Sequence, residues 1–441
     1  MAVSGGLILS LALAACGDDG DDAATKTSPP VVASSAASAS APASGPTATQ
    51  PAVASSTAAA QIKPVTILAQ TYYTDEPSHS LWSERLTKCG APHQITVKHE
   101  SVPGGELIPK ILQQGQAKTL PDLIMVDNPE VQQVAAAGVL LPLEDFGIKP
   151  EGILEQVTKA STYEGKLYGA QPDTNTLAVF YNVDTLAKAG VTPPKTWDEL
   201  KAASAKLSGN GNYGIAFSAK ADFEGTWQFL PFFWSAGAEL DAIDSPEAVS
   251  ALTLLKDLVD SKSASKSVVN WGQSDVLDQF TSGKAAMMIN GPWNFPALKT
   301  ASKEKGLKWD VATVPVAKNG APSGAPLGGE AYAIGKTGNA DKEQAAAKVI
   351  DCLMSDEMQL EIAKNHGLIP TRESVLDAFA GSAEPQMKGF VEQIKTARAR
   401  TGVVGIKYPE VGAAIHQAMG AALVGGKTPQ EALAAAAASV K

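Results

Sequence analysis

Residues 17 to 61 contain no Leu, Ile, Met, Phe, Trp or Tyr and are built mostly of Ala, Ser, Thr and Pro. Such a stretch cannot bury enough apolar surface to offset the entropy lost on ordering, so it is expected to be a disordered tether. A tether of about 45 residues has a root-mean-square span of roughly 35–40 Å. All folding is thereby confined to the chain beyond Gln61. The remaining ~380 residues exceed the size at which a single core stops growing, so two lobes are expected.

Ahead of the tether, an apolar run from Leu7 to Leu13 ends in Leu13-Ala14-Ala15-Cys16 and gives way to Gly17-Asp18-Asp19. Small residues before a cysteine, after a short apolar segment, resemble the lipobox of a bacterial lipoprotein. The run is too short for a bilayer, which takes about 20 residues, and reads as the core of a signal peptide. Residues 1–15 are thus expected to be cleaved. Cys16 would then carry lipid, holding the protein on the extracellular face of the cell membrane. No Lys or Arg lies among residues 1–15, so the basic region of the signal is expected upstream.

The net charge of −10, with no long basic run, argues against nucleic acid as a partner. Beyond Cys16 only Cys89 and Cys352 remain, and in an exported chain two cysteines point to a disulfide before a metal site or redox pair. None of the five histidines is spaced as a ligand pair, which leaves zinc unsupported; no cofactor is expected.

After Lys63 the pattern alternates. Residues 63–69 read as a strand, 75–88 as an amphipathic helix, 95–99 as a strand, and 106–114 as a helix. Residues 121–126 form a near-continuous apolar strand of the kind buried on both faces of a parallel sheet. This alternation predicts an α/β class. Thr196 and Glu199 form a capping box opening a helix to about Leu207. Ser245-Pro246 opens another, and Gly283 ends a helix over 274–282, leading into a strand over 285–290.

Three motifs mislead. Gly209, Gly211 and Gly214 match the dinucleotide fingerprint in spacing, but a helix precedes them and a strand follows, the reverse of what that motif needs. Gly335-Lys336-Thr337 and Gly426-Lys427-Thr428 mimic a phosphate loop, yet Glu330 and Ala421 stand where its first glycine belongs. No nucleophile elbow or zinc-protease motif is present, so the chain is not read as an enzyme.

Four blocks in order carry a resemblance: residues 176–200, with Phe180-Tyr181-Asn182 and Pro193-Pro194-Lys195-Thr196-Trp197; 280–293, closing on Asn290-Gly291-Pro292-Trp293; Pro326-Leu327-Gly328-Gly329-Glu330; and His366-Gly367-Leu368-Ile369-Pro370-Thr371-Arg372. Together they resemble the family 1 extracellular solute-binding proteins, the maltose-binding-protein-like receptors of carbohydrate ABC importers. The resemblance implies a two-lobe periplasmic-binding-protein-like clamshell with a multi-crossing hinge. Crossings are expected near 175–177, 328–330 and 379–384. Residues 62–175 and 330–380 would form the N-terminal lobe, and 176–329 and 381–441 the C-terminal lobe. Cys89 and Cys352 would then share a lobe and pair. Partners implied are a carbohydrate, the membrane permease subunits and lipid through Cys16, with the protein a monomer.

Sugars are held by aromatic faces against C–H groups and by amides or carboxylates on paired hydroxyls. Candidates are Tyr72 after the first strand; Asp127 and Asn128 ending the third; Asn175 at a crossing; Asp222, Trp227 and Trp271; Trp293 after a Gly-Pro turn; and Glu330. Only one of Tyr72 and Tyr73 is expected to face the ligand. Asp127 also reads as a cap for a helix starting at Pro129. Trp197, Trp234 and Trp309 read as core. Competing readings are a receptor for a charged solute such as a polyamine, favoured by Asp127, Asp222 and Glu330, and an exported carbohydrate-active enzyme.

Overall fold

The computed structural model describes residues 64–441. The expected signal peptide, Cys16 and the tether lie outside them. The described chain forms two α/β lobes, each built on one mixed sheet.

The first sheet contains β1 (Val65–Thr71), β2 (Ile95–Ser101), β3 (Leu123–Asp127) and β4 (Leu140–Leu141). The second contains β5 (Ala178–Asn182), β6 (Tyr213–Ala216), β7 (Ala285–Asn290) and β8 (Trp309–Ala312). The chain then returns to the first sheet as β9 (Glu330–Gly335). Strand orders are β2-β1-β3-β9-β4 and β8-β5-β7-β6. β1 runs parallel to β2 and β3, whereas β9 lies antiparallel between β3 and β4.

Period-two alternation explains why these strands read as continuous apolar runs. In β3, Leu123 and Met125 face Ile67, Trp82 and Leu86, while Ile124 and Val126 face Ile111, Val131 and Val134. Both faces are covered, so every position must be apolar. β5 repeats the device: Val179 packs with Met287 and Trp197, and Phe180 with Phe280, Phe295 and Phe390. Helices Glu373–Ser382 and Pro385–Ile394 also pack on that second face, through Leu376, Phe379 and Met387.

Most expected elements are present, with shifted ends. Residues Pro121 and Asp122 are outside β3: proline has no N–H for a ladder, and the Asp122 carboxylate instead accepts from the Leu68 N–H at 2.8 Å. The capping box is half realised. Thr196 accepts from the Glu199 N–H at 3.3 Å, but the Glu199 carboxylate accepts from Lys195 rather than Thr196. Trp197 and Trp234 are core, as read; Trp309 is half-buried, its indole donating to Ser302 at 3.1 Å. Cys89 and Cys352 are bonded, with Cα atoms 5.5 Å apart, joining helix Ser78–Gly90 to helix Ala340–Leu353 on one face of the first sheet.

Between the lobes, residues 170–175 run antiparallel beside 328–332. Ala170 pairs with Tyr332, and the Gly328 N–H donates to the Asn175 carbonyl at 2.9 Å. Asp173–Thr174 also pairs with Ile369–Pro370. Gly328 and Gly329 are required here by close approach. A Cβ on Gly328 would come 2.0 Å from Asn175 Oδ1, and one on Gly329, whose φ is +111°, would come 2.3 Å from Gln171 Nε2.

Candidate functional site

Three loops of the first lobe converge at this seam. β1 ends at Thr71 and hands over to Tyr72 and Tyr73; β3 ends at Asp127; β9 begins at Glu330, paired in register with Asp127. The Tyr72 hydroxyl donates to Glu330 Oε1 at 2.6 Å. Burial, reinforced by the Glu330 carboxylate, pushes the Tyr72 phenol well above its ordinary value. Tyr73 is also part of this group: its ring stacks on Trp82, with centroids 5.5 Å apart and planes 3° apart. The chain leaves the sheet at Thr71, so strand alternation does not govern the two tyrosines: Tyr72 reaches Glu330, while Tyr73 lies on the core face of Trp82.

Asp127 does not cap a helix. The chain enters a 3-10 turn, Asn128–Glu130, before helix Val131–Ala136, and the Asp127 side chain makes no capping bond. It accepts from Arg400, Nη1 to Oδ2 at 2.6 Å and Nη2 to Oδ1 at 2.5 Å, and Nη2 also donates to Asn128 Oδ1 at 3.1 Å. Arg400 belongs to the segment before helix Tyr408–Leu423 and lies over the Trp227 ring, 4.6 Å from its centroid. Burial lowers the Arg400 value, but Asp127 and Tyr408 more than reverse this, so the guanidinium stays charged. This contact joins the lobes.

Trp227 is corrected as a stacking platform. It is 5% exposed, Arg400 covers one face, and its edge packs on Gly328. Asn175, 6% exposed, packs on the same side of Gly328 as Trp227. Asp222 caps helix Phe223–Ser235, accepting from the Glu224 N–H at 3.0 Å, and pairs with Lys220 at 2.8 Å. Its chemistry is that of an N-cap. Trp271 packs half-buried against the apolar clusters on both faces of the second sheet. Trp293 differs: it is partly exposed and touches the apolar clusters of both lobes. Its ring folds over Gly291, where an added Cβ would come 1.8 Å from it.

Sequence reading missed Arg85, Asp173, Tyr332 and Arg400. A signal existed for two of them. The chain has only four arginines, Arg85, Arg372, Arg398 and Arg400. Three lie over tryptophan faces: Arg85 on Trp82, Arg398 on Trp234 and Arg400 on Trp227. A planar, always-charged group is the one that tolerates such burial. Among the described residues no helix is long and apolar enough to cross a membrane, and no His, Cys, Asp or Glu cluster has metal-binding geometry.

Comparison with known proteins agrees with this architecture. The chain is similar to a maltooligosaccharide ABC transporter solute-binding lipoprotein of Streptococcus pneumoniae, 26% identical over 346 residues that cover 74% of this chain and 78% of that one. Among solved structures it is similar to the GacH receptor of Streptomyces glaucescens, determined unliganded and with acarbose: TM-score 0.76, 27% identity, covering 85% of this chain and 97% of that one. It is also similar to maltose-bound MalE3 of T. maritima: TM-score 0.75, 27% identity, 85% and 99% covered. The profile of the bacterial extracellular solute-binding proteins matches residues 84–389, more than half the chain, and the protein belongs to that family.

Proposed function

We propose that this protein is the substrate-binding component of an ABC importer, which closes its two lobes on a small oligosaccharide and delivers it to permease subunits. The observation that carries this reading is the grouping of Tyr72, Asp127, Asn128, Asn175 and Glu330 at the seam between the sheets, together with a partly exposed Trp293 ring that touches the apolar clusters of both lobes. Fixed amides and carboxylates beside an aromatic face are the chemistry that neutral sugars require. The similar proteins whose names include maltooligosaccharide, acarbose and maltose support the same class.

In this reading the protein binds and releases its ligand unchanged and acts as a monomer. Residues 62–175 with 330 to about 372, and 176–329 with 373–441, are the two lobes, which move about the seam; the expected boundary at 380 shifts because helix Glu373–Ser382 packs on the second sheet. Lipid on Cys16 holds the protein at the outer membrane face, a proposal supported by the lipoprotein relative.

Thermal-shift screening of residues 64–441 against mono- to tetrasaccharides tests the reading. A ligand at a hundredfold excess over Kd adds about 2.7 kcal/mol of stability by mass action. The bound sugar should be recovered intact by mass spectrometry. A hydrolysed sugar would replace this reading with an enzyme.

A further inference from the structure

The most exposed aromatic side chain among the described residues is Phe223, 43% exposed. It is the first residue of helix Phe223–Ser235 in the second lobe, and the bonds around it fix where its ring starts. Asp222 caps the helix through the Glu224 N–H and pairs with Lys220. Glu224 Oε2 accepts from the Gln273 N–H at 3.1 Å, and the Gln273 carbonyl accepts from Asn290 Nδ2 at 3.0 Å. Asn290 ends β7, so Phe223 is fastened to the same rim from which Trp293 hangs.

Across the seam this ring meets the first lobe. Gly104 opens helix Gly104–Ala117, which packs on β3 through Leu107, Ile108 and Ile111. A Cβ added to Gly104 would lie 3.2 Å from Phe223 Cε1, 3.6 Å from Phe223 Cζ and 4.0 Å from Tyr72 Cβ. The tip of the Phe223 ring and the root of Tyr72 therefore converge on one point of first-lobe backbone. A bare glycine at that point is what lets the ring come so close. Inward from it, the Tyr72 hydroxyl runs to Glu330, which is 9% exposed. Outward lies water, in which the rest of the Phe223 ring stands. The ring thus spans the two lobes at the edge of the seam, between its buried polar groups and solvent.

Resting on the saccharide reading above, we propose that Phe223 sets the length of saccharide the protein accepts. Its ring closes the Tyr72 end of the site when the lobes meet, so a chain running outward past Tyr72 clashes with it. Discrimination of this kind comes from an element set against the longer ligand, not from a better contact with the shorter one. The role is opposite to that of a stacking platform. Truncating a platform weakens the longest ligands most, whereas truncating a gate admits them.

The test is isothermal titration calorimetry on residues 64–441 with the maltose-to-maltohexaose and cellobiose-to-cellohexaose series. In the parent, affinity should fall as the chain lengthens. Phe223→Ala should raise the ratio of hexasaccharide to disaccharide affinity at least ~10-fold, and Phe223→Trp should lower it. Because the side chain is exposed, the Ala variant should keep a cooperative melt. A parent that binds the hexasaccharide as tightly as the disaccharide overturns the proposal, as does a ratio that Phe223→Ala leaves unchanged or lowers; the saccharide reading survives either result. Binding of no sugar from these series or from the thermal-shift panel, by parent and variant alike, overturns the saccharide reading itself and this proposal with it.

Discussion

Arg400 grips both carboxylate oxygens of Asp127 across 273 residues of sequence, with its guanidinium flat on Trp227. Because Asp127 ends a first-lobe strand and Trp227 sits in a second-lobe helix, this one buried pair ties the lobes together. Removing one member of a buried pair leaves the other charge uncompensated, at a cost of about 3–5 kcal/mol. Arg400→Met should therefore destabilise the fold by that amount in urea denaturation. Arg398→Met is the contrast: both it and its partner Glu239, at 2.6 Å, are partly exposed to solvent, so the loss of the pair should stay below about 1 kcal/mol. Equal losses would mean the Asp127 pair is solvated.

Trp293→Ala should weaken sugar binding by at least ~1 kcal/mol, seen mainly as faster dissociation, with the melt unchanged within a few degrees. Trp197→Ala should do the reverse, costing about 3–5 kcal/mol of stability with affinity intact, because Trp197 is core. Surface plasmon resonance with parallel melts separates the two. If they exchange behaviour, the ligand does not lie at the seam.

Cys89 and Cys352 close a loop with a sequence separation of 263. The chain-entropy treatment gives such a loop about 5–6 kcal/mol as an upper limit. Replacing both by Ser should lower the denaturation midpoint, with the ligand-induced shift retained, since the bond lies behind the first sheet. A variant that melts with the parent would show that the bond contributes nothing in solution.

Glu130, beside Asp127, is raised to about 8, by burial first and by the Asp127 charge next, with Arg400 opposing. An acid held protonated by the fold contributes stability that is complete below about 4.5 and is lost as pH rises to about 8. Glu130→Gln should accordingly gain on the parent as pH rises from 5 to 9. A constant difference across that range would place the carboxylate in water.

Cys16→Ser should move the protein from the membrane fraction to the medium. Mass spectrometry of the parent should find a diacylglyceryl-modified residue 16 at the mature N-terminus; an unmodified, uncleaved Cys16 defeats the assignment.

The fold was largely legible because strand and helix periods are local. β3 declares itself through five consecutive apolar-or-terminal positions, and Ser245 through the proline that follows it. The candidate site was legible only where it hangs on strand ends, as with Tyr72, Asp127 and Glu330, which the fold brings together. Asp222 caps a helix and Trp271 packs on apolar side chains, roles that residue type does not distinguish from a ligand contact. Arg400 was invisible for a different reason: it acquires its role from Asp127, 273 residues away in sequence.

The insertion of β9 between β3 and β4 also fixes an order of assembly. As the chain is made, the first sheet waits with an open slot, two unpaired edges facing each other, until residues 330–335 arrive after the whole second sheet. Exposed edges of this kind invite association with other chains. The first lobe of such a topology cannot close until nearly the whole chain is available. When the late strand enters, its first residue is Glu330, so the event that completes the sheet also delivers the acid to the seam.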